Sequence, residues 1–384
     1  MEEKRAKKII VPQRLRQARQ ARGLSIKDVA DKLGISRQLL SLYELGTTAI
    51  KLDTVLKLQS IYNMPVSFYY KNYQPESRNR SQIYFRSFYS ATKIKREQAK
   101  ILADWVISEI NDYIKDKIVI PPVDPLCERI RESKTIEIRE ERNMESLSKL
   151  IRREWELGLQ PITNLTRLLE KKGFIIVEID IDESLDAFSF WDNGRPYIFI
   201  SKYNNAFRRR MSIAHELCHL LFHDAEDIAK NLKSLEDEAK KFASCFLLPK
   251  GGFDNDVIST ALNQLLLLKP IWKVSVAAMV MRCEQLGIIS EERSTYLWKQ
   301  ITRNKWRKIE PYDAEMKPEQ PVLLRQSIKL LVDNNLISRE KLKEAFSLNE
   351  NFVEEVCNLE KGYFDQIGET VALRGNDDPQ ICSN

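Results

Sequence analysis

The sequence predicts a mainly α protein with a small β-sheet, an α+β chain in which an all-α amino-terminal unit precedes a mixed body and a helical carboxy-terminal region. Three observations predict it. Short helical patterns punctuated by glycine fill the first 70 or so residues. Two β-prone runs, Phe188-Ser189-Phe190-Trp191 and Tyr197-Ile198-Phe199-Ile200-Ser201, flank Asp192-Asn193-Gly194, a strong hairpin signal. Helical periodicity returns beyond them, and the last 70 residues are helical in pattern without chemistry that can be named.

The amino-terminal elements follow in order. Arg14-Leu15-Arg16-Gln17-Ala18-Arg19 gives an amphipathic basic helix, Gly23-Leu24 breaks it, and Ser25 caps a helix from Ile26 to Leu33. Gly34 turns the chain, Ser36 caps the next helix from Arg37 to Leu45, and Gly46 ends it. Two short helices joined by a glycine turn make a helix-turn-helix, whose second helix enters the DNA major groove by its amino-terminal residues. Arg37, Gln38, Ser41 and Leu42 form the outward face, while Leu40, Tyr43 and the stem of Glu44 turn inward. Arg37 suits guanine, Gln38 suits adenine and Leu42 a thymine methyl, with Ser36 and the arginines of the first helix on phosphates. Residues 1 to 100 hold 21 Lys and Arg against 8 Asp and Glu, a balance of +13, so in a chain of +6 the remainder carries −7. A basic front on an acidic body suits a double-stranded DNA operator at one end only.

Next come Lys93, Lys95 and Arg96 and a helical stretch to Lys117, read as a solvated spacer. Ile118 to Pro125 is proline-rich and extended, a linker. The chain therefore divides at 1–72, 73–130, 131–310 and 311–384.

All 3 histidines of the chain lie between residues 215 and 223, in Ala214-His215-Glu216-Leu217-Cys218-His219-Leu220-Leu221-Phe222-His223. On a helix from about Phe207 to Phe222, the pattern H-E-x-x-H sets His215 and His219 one turn apart on one face, able to share one Zn²⁺. Mn²⁺ or Fe²⁺ suits two histidines and a carboxylate as well. Glu216 then sits where it can take a proton from water activated by the ion. A catalytic zinc needs a third protein ligand. Leu235 to Pro249 reads as a second helix, stopped by Pro249 and Gly251-Gly252, on which Glu236, Ala239 and Ala243 share a face. The alanines allow close approach, so Glu236 ranks ahead of Glu238 as the third ligand. His223, one turn further along, is expected to support the ligands or contact substrate, and Asp224 and Glu226 to be solvated. The segment from Trp272 to Gly287 is helical in period and is expected to pack on this body.

Composition bounds the rest. The amino terminus lacks an apolar signal region, and apolar runs such as Leu265 to Leu268 are too short to span a bilayer, so a cytoplasmic protein without membrane contact is expected. The 6 cysteines, at 127, 218, 245, 283, 357 and 382, show no C-x-x-C pairing and read as reduced thiols, Cys245 being a weak ligand candidate off the Glu236 face.

Two family resemblances sit on these residues. Residues 14 to 70 resemble the XRE (Cro/CI-like) helix-turn-helix through Gly23-Leu24-Ser25, Val29-Ala30, Leu33-Gly34-Ile35-Ser36, Leu40-Ser41 and Glu44-x-Gly46. Residues from about 145 to 310 resemble the ImmA/IrrE metallo-endopeptidases through Trp155-x-Leu157-Gly158, Pro161-Ile162, Ala214-His215-Glu216 with His219, and Glu236-x-Glu238-Ala239-x-x-Phe242-Ala243 before Leu247-Leu248-Pro249. Phe85-Arg86-Ser87 with the basic stretch after it resembles the connector of fused proteins of this kind. The resemblance implies an all-α helix-turn-helix domain followed by a zincin-like metallopeptidase domain. It implies zinc on His215, His219 and Glu236, Glu216 as general base, and gluzincin-like hydrolysis of a repressor-like protein, often beside mobile elements or stress regulons. Cys218 departs from the family's usual glycine but stays small.

A cytoplasmic, DNA-binding, zinc-dependent endopeptidase that regulates transcription is therefore the leading expectation, as a monomer or a homodimer. The ribbon from Phe188 to Ser201 is expected to offer an edge strand to an extended substrate. Two alternatives stay open: a non-catalytic regulator whose peptidase-like domain senses a ligand or holds a partner, and an antitoxin acting through its carboxy-terminal helices.

Overall fold

Asn193 and Gly194 both take positive φ, 46° and 76°, and so close a two-residue turn between β2 (Ala187–Asp192) and β3 (Arg195–Ser201). β1 (Ile175–Ile179) runs parallel to β3 on its other side, giving the order β1-β3-β2. This computed structural model describes residues 9–73, 92–132, 143–181, 185–223 and 225–365, with the side chains of 225–230 left aside.

The sheet is a partition between two hydrophobic cores. Strand side chains alternate between faces. Ile175, Val177, Ile179, Phe188, Phe190, Tyr197 and Phe199 enter one core, while Ile176, Ala187, Trp191, Ile198 and Ile200 enter the other. On the first face the rings stack, Phe188 on Phe199 at 4.9 Å and Phe190 on Phe199 at 5.7 Å. Each buried phenylalanine contributes about 1.5–3 kcal/mol, so this face anchors the ribbon.

The first core joins that aromatic face to both ends of the chain. α1 (Pro12–Ala21), α2 (Ile26–Leu33), α3 (Arg37–Leu45) and α4 (Leu52–Tyr62) form the helix-turn-helix unit. Ser25 Oγ accepts from Asp28 N at 3.1 Å while Asp28 Oδ2 accepts from Ser25 N at 2.8 Å, a reciprocal cap that starts α2. The connector is not the solvated spacer its lysines suggest. α5 (Lys93–Trp105) passes through a π-helical turn, Val106–Asn111, into α6 (Asp112–Lys115), and Ala99, Leu102, Trp105, Ile107, Ile110 and Ile114 are buried. Lys93 is exposed at the start, but the apolar stripe behind it decides the packing. Phe85-Arg86-Ser87 lies outside the described residues.

α7 (Pro125–Glu132), α8 (Met144–Glu154), α9 (Leu165–Lys171), α10 (Ala206–Phe222), α11 (Ala225–Leu247), the short α12 (Phe253–Asp256), α13 (Leu262–Trp272), α14 (Val276–Gln285) and α15 (Glu291–Arg303) belong to the second-core side. Ile118 to Pro125 lacks regular structure up to α7, as expected of a linker, yet it is docked. Asp124 N donates to Lys172 O at 3.0 Å, Arg195 Nη1 donates to Pro121 O at 2.9 Å, and a Cβ at Gly173 would meet Pro122 O at 2.3 Å. The expected second helix starts earlier than Leu235, at Ala225, with non-helical Asn231 inside it. The periodicity from Trp272 to Gly287 does not form one helix: Lys273 takes φ 54° and Ser275 caps a new start.

The last described helices, α16 (Leu323–Asp333), α17 (Arg339–Phe346) and α18 (Glu350–Val356), return to the first core. Lys71 Nζ donates to Ala345 O at 2.6 Å, tying them to the helix-turn-helix unit. No single helix among the described residues is long and apolar enough to cross a membrane; α13 and α14 pass such a test only as a pair bent by 103°. The five described cysteines are buried and unpaired, and Cys382 lies outside the described residues.

Candidate metal centre and DNA-reading helix

α10 begins where Asn205 Oδ1 accepts from Arg208 N at 2.8 Å, and its next two arginines anchor it. Arg209 pairs with Glu178 of β1, and Arg210 pairs with Glu319 and donates to Ile162 O at 2.8 Å. With its first turns held, the helix carries His215 and His219 inward on one face.

α11 crosses behind that face on Ala239 and Ala243, both fully buried, and brings Glu236 to the histidines. His215 Nε2 lies 3.0 Å from His219 Nε2, with Glu236 Oε2 at 3.3 Å from the first and Glu236 Oε1 at 3.5 Å from the second. Three ligand atoms so close suit one small cation, whose bonds to nitrogen and oxygen run about 2.0–2.2 Å. Glu236 Oε1 is buried without a hydrogen-bond donor among the described residues, as a ligand oxygen in waiting should be. Glu238 is not in this cluster; its Oε2 meets His223 Nε2 at 3.3 Å. His223, at the extended end of α10, stands behind His219, their Nδ1 atoms 2.8 Å apart. Asp224 and the side chain of Glu226 lie outside the described residues.

Electrostatics sorts these groups by role. Burial pushes the His219 imidazole down to about 3, so it stays neutral, the form that binds metal. Burial works against the Glu236 carboxylate, but the adjacent imidazoles of His215 and His219 outweigh it and hold the group well below the usual range. Glu216 goes the other way, raised to about 7 by burial, with the charges of Glu236 and Asp186 adding and His215 and Ser189 opposing. The Cys218 thiol is fully buried in α10, and burial raises it well above an ordinary thiol.

Ser189 was missed by sequence reasoning. Its Oγ donates to Glu216 Oε2 at 2.7 Å from the metal-side face of β2. The signal was available: a hydroxyl alternating with Phe188 and Phe190 in a buried strand must face a polar partner. Cys245 also finds other company, its Sγ 3.1 Å from Glu145 Oε2 and 3.2 Å from Arg282 Nη1. A cleft of about 440 Å³ opens over the cluster, lined by Asp186, Ala187, Arg208, Met211, His215 and Lys240 among others. β2 stands at an edge of the sheet, as expected of the ribbon, but all six of its residues are buried, and its Ala187 end reaches the cleft.

The DNA-reading helix is arranged differently. Ser36 Oγ accepts from Leu39 N at 3.2 Å and caps α3, Arg37, Gln38 and Leu42 are exposed, and Ser41 is half-buried. Beneath them Leu40 is buried, and Glu44 takes two hydrogen bonds from Arg19, at 2.6 and 2.8 Å. Arg19 is therefore not a phosphate contact, and neither is Arg14, buried against Glu109 at 2.7 Å. Of the three arginines of α1 only Arg16 is exposed. A basic helix pattern cannot reveal carboxylates waiting 25 and 95 positions downstream.

Comparison with known families agrees with both regions. Residues 15–69 match the helix-turn-helix family, and residues 169–284 match the IrrE N-terminal-like domain of peptidase family M78. No curated protein matches the chain. The M78 family is zinc-dependent in general, and the cluster of His215, His219 and Glu236 is compatible with that. The chain thus joins an XRE-type helix-turn-helix to an IrrE/ImmA-like peptidase domain, a DNA-binding regulator carrying a peptidase-like domain.

Proposed function

We propose that this protein is a zinc-dependent endopeptidase that binds an operator and regulates transcription by cleaving a repressor-like protein. The observation that carries the reading is the convergence of two imidazole nitrogens and a carboxylate oxygen at the floor of a cleft, with a second, hydroxyl-held carboxyl group beside them. A purely structural cluster would leave Glu236 Oε1 buried without a donor, a cost of about 1–3 kcal/mol with nothing in return.

His215, His219 and Glu236 would hold the ion, Zn²⁺ by preference and Mn²⁺ or Fe²⁺ by the same donors. When bound, it supplies Lewis acidity toward the scissile carbonyl and toward water. Glu216 takes the proton of the attacking water and delivers it to the amine nitrogen as the peptide C–N bond breaks. Ser189 keeps Glu216 Oε2 oriented for both transfers. Arg208 and Met211 on α10 and Lys240 on α11 form the walls along which an extended chain would lie.

On the opposite side of the sheet, Arg37, Gln38, Ser41 and Leu42 read base edges, and Ser36 at the helix start serves a phosphate. A two-fold symmetric operator needs one such helix per half-site, so a homodimer belongs to this reading, as does work in the cytoplasm where the operator is. The test is Glu216→Gln. It should keep its metal and its operator affinity and lose cleavage of the repressor-like substrate; cleavage at the wild-type rate would reject the mechanism.

A further inference from the structure

Behind the metal cluster lies a second row of polar groups, two buried histidines backed by the half-buried Glu238 and Ser234. His219 Nδ1 faces His223 Nδ1 at 2.8 Å, His223 Nε2 faces Glu238 Oε2 at 3.3 Å, and Glu238 Oε1 accepts from Ser234 Oγ at 3.4 Å. His219 and His223 are only 2% and 6% exposed. α11 therefore grips the histidines of α10 twice, with Glu236 on the cluster side and Glu238 on the far side.

Proton counting orders this row. A neutral imidazole has one N–H and one lone pair, and an ionised carboxylate only accepts. Glu238 therefore takes the proton of His223 Nε2, which leaves His223 Nδ1 as a lone pair. That nitrogen must in turn receive the proton of His219 Nδ1. The lone pair of His219 is then on Nε2, the atom facing His215 and Glu236. For two neutral rings above a carboxylate this order makes both contacts.

We propose that Glu238 and His223 are positioning residues that fix the tautomer and ring orientation of His219, so that its Nε2 lone pair is presented to the metal. The proposal rests on the reading of His215, His219 and Glu236 as ligands. It assigns the second carboxylate of Glu236-Asp237-Glu238 a role that ligand counting does not supply. Partners of this kind hold a ligating ring in place, and losing one typically weakens metal binding about 10- to 100-fold.

The experiment uses the full chain, labelled with ¹⁵N-histidine. Because there are only 3 histidines, long-range proton–nitrogen spectra are assignable with His215→Ala and His223→Phe as references. In metal-free protein the expected result is a proton on Nδ1 of His219 and on Nε2 of His223. A proton on Nε2 of His219 would overturn the proposal. Competition with a chromophoric chelator gives the second readout: Glu238→Ala should bind zinc about 10- to 100-fold more weakly. Glu238→Gln, whose amide oxygen still accepts from His223, should recover most of that loss and the native proton order. Wild-type zinc affinity in a folded Glu238→Ala would also overturn it. A wild type that binds no zinc would reject the ligand reading instead, with the spectrum still deciding the proton order.

Discussion

Two polar clusters of the molecule, one beneath α3 and one at the candidate metal site, handle charge in opposite ways. Beneath α3, buried cations meet carboxylates: Arg19 holds Glu44 at 2.6 Å, and Arg14, joined by the half-buried Lys71, pairs with Glu109. At the metal cluster, carboxylate and imidazole acceptors converge, and Glu236 Oε1 finds no donor among the described residues. Closed polar networks hold a shape, whereas converging acceptors leave room for a cation to complete them. The helix-turn-helix consequently carries Arg37 and Gln38 on its outside, and the candidate metal site has its donor atoms inside.

This contrast can be broken experimentally. The largest effect is expected from His219→Ala and Glu236→Ala. Each should lose the metal that wild type retains through gentle chelator washing, measured by elemental mass spectrometry, and more completely than the about 10- to 100-fold of an outer-shell change. Metal retained in both would make the converging acceptors a structural feature after all. Arg14→Ala should come next, destabilising the first core by about 3 kcal/mol because Glu109 stays buried with Lys71 as its one remaining cation among the described residues. Urea unfolding reads that loss, and an unchanged midpoint would show that the pair does not hold the reader in place. Arg37→Ala should remove about 2 kcal/mol of discrimination at one operator base pair while sparing stability. Shift assays on base-substituted operators check it, and unaltered preference would count against base readout by α3. Ser189→Ala is the mildest, lowering kcat about tenfold through a lost hydrogen bond of about 1.5 kcal/mol to a charged group. KM and metal content should not move; a raised KM with kcat intact would make Ser189 a packing residue.

What could be read in advance followed from local periodicity. The caps at Ser25 and Ser36, the turns at Gly34 and Gly46 and the hairpin at Asn193-Gly194 depend on residues a few positions apart, and each formed where expected. Helix phase on Glu236, Ala239 and Ala243 pointed to Glu236, and the structure brings that residue, not Glu238, to His215 and His219. The connector misled because its first turn is basic and solvent-facing while the stripe from Leu102 to Ile114 is not. The arginines of α1 misled for a related reason, since their partners lie far along the chain.

By itself, then, the sequence determined the caps and turns of the first helices, the hairpin, the outward face of α3 and the pair of histidines one turn apart, all set by spacings shorter than a few helical turns. Tertiary structure alone decided that the sheet would be a wall between two cores, that Ser189 would hold Glu216, and that Glu238 would meet His223 behind His219. The Ser189–Glu216 and His223–Glu238 contacts join separate elements across 27 and 15 positions, and the packing of α10 against β2 and α11 brings them within hydrogen-bond reach.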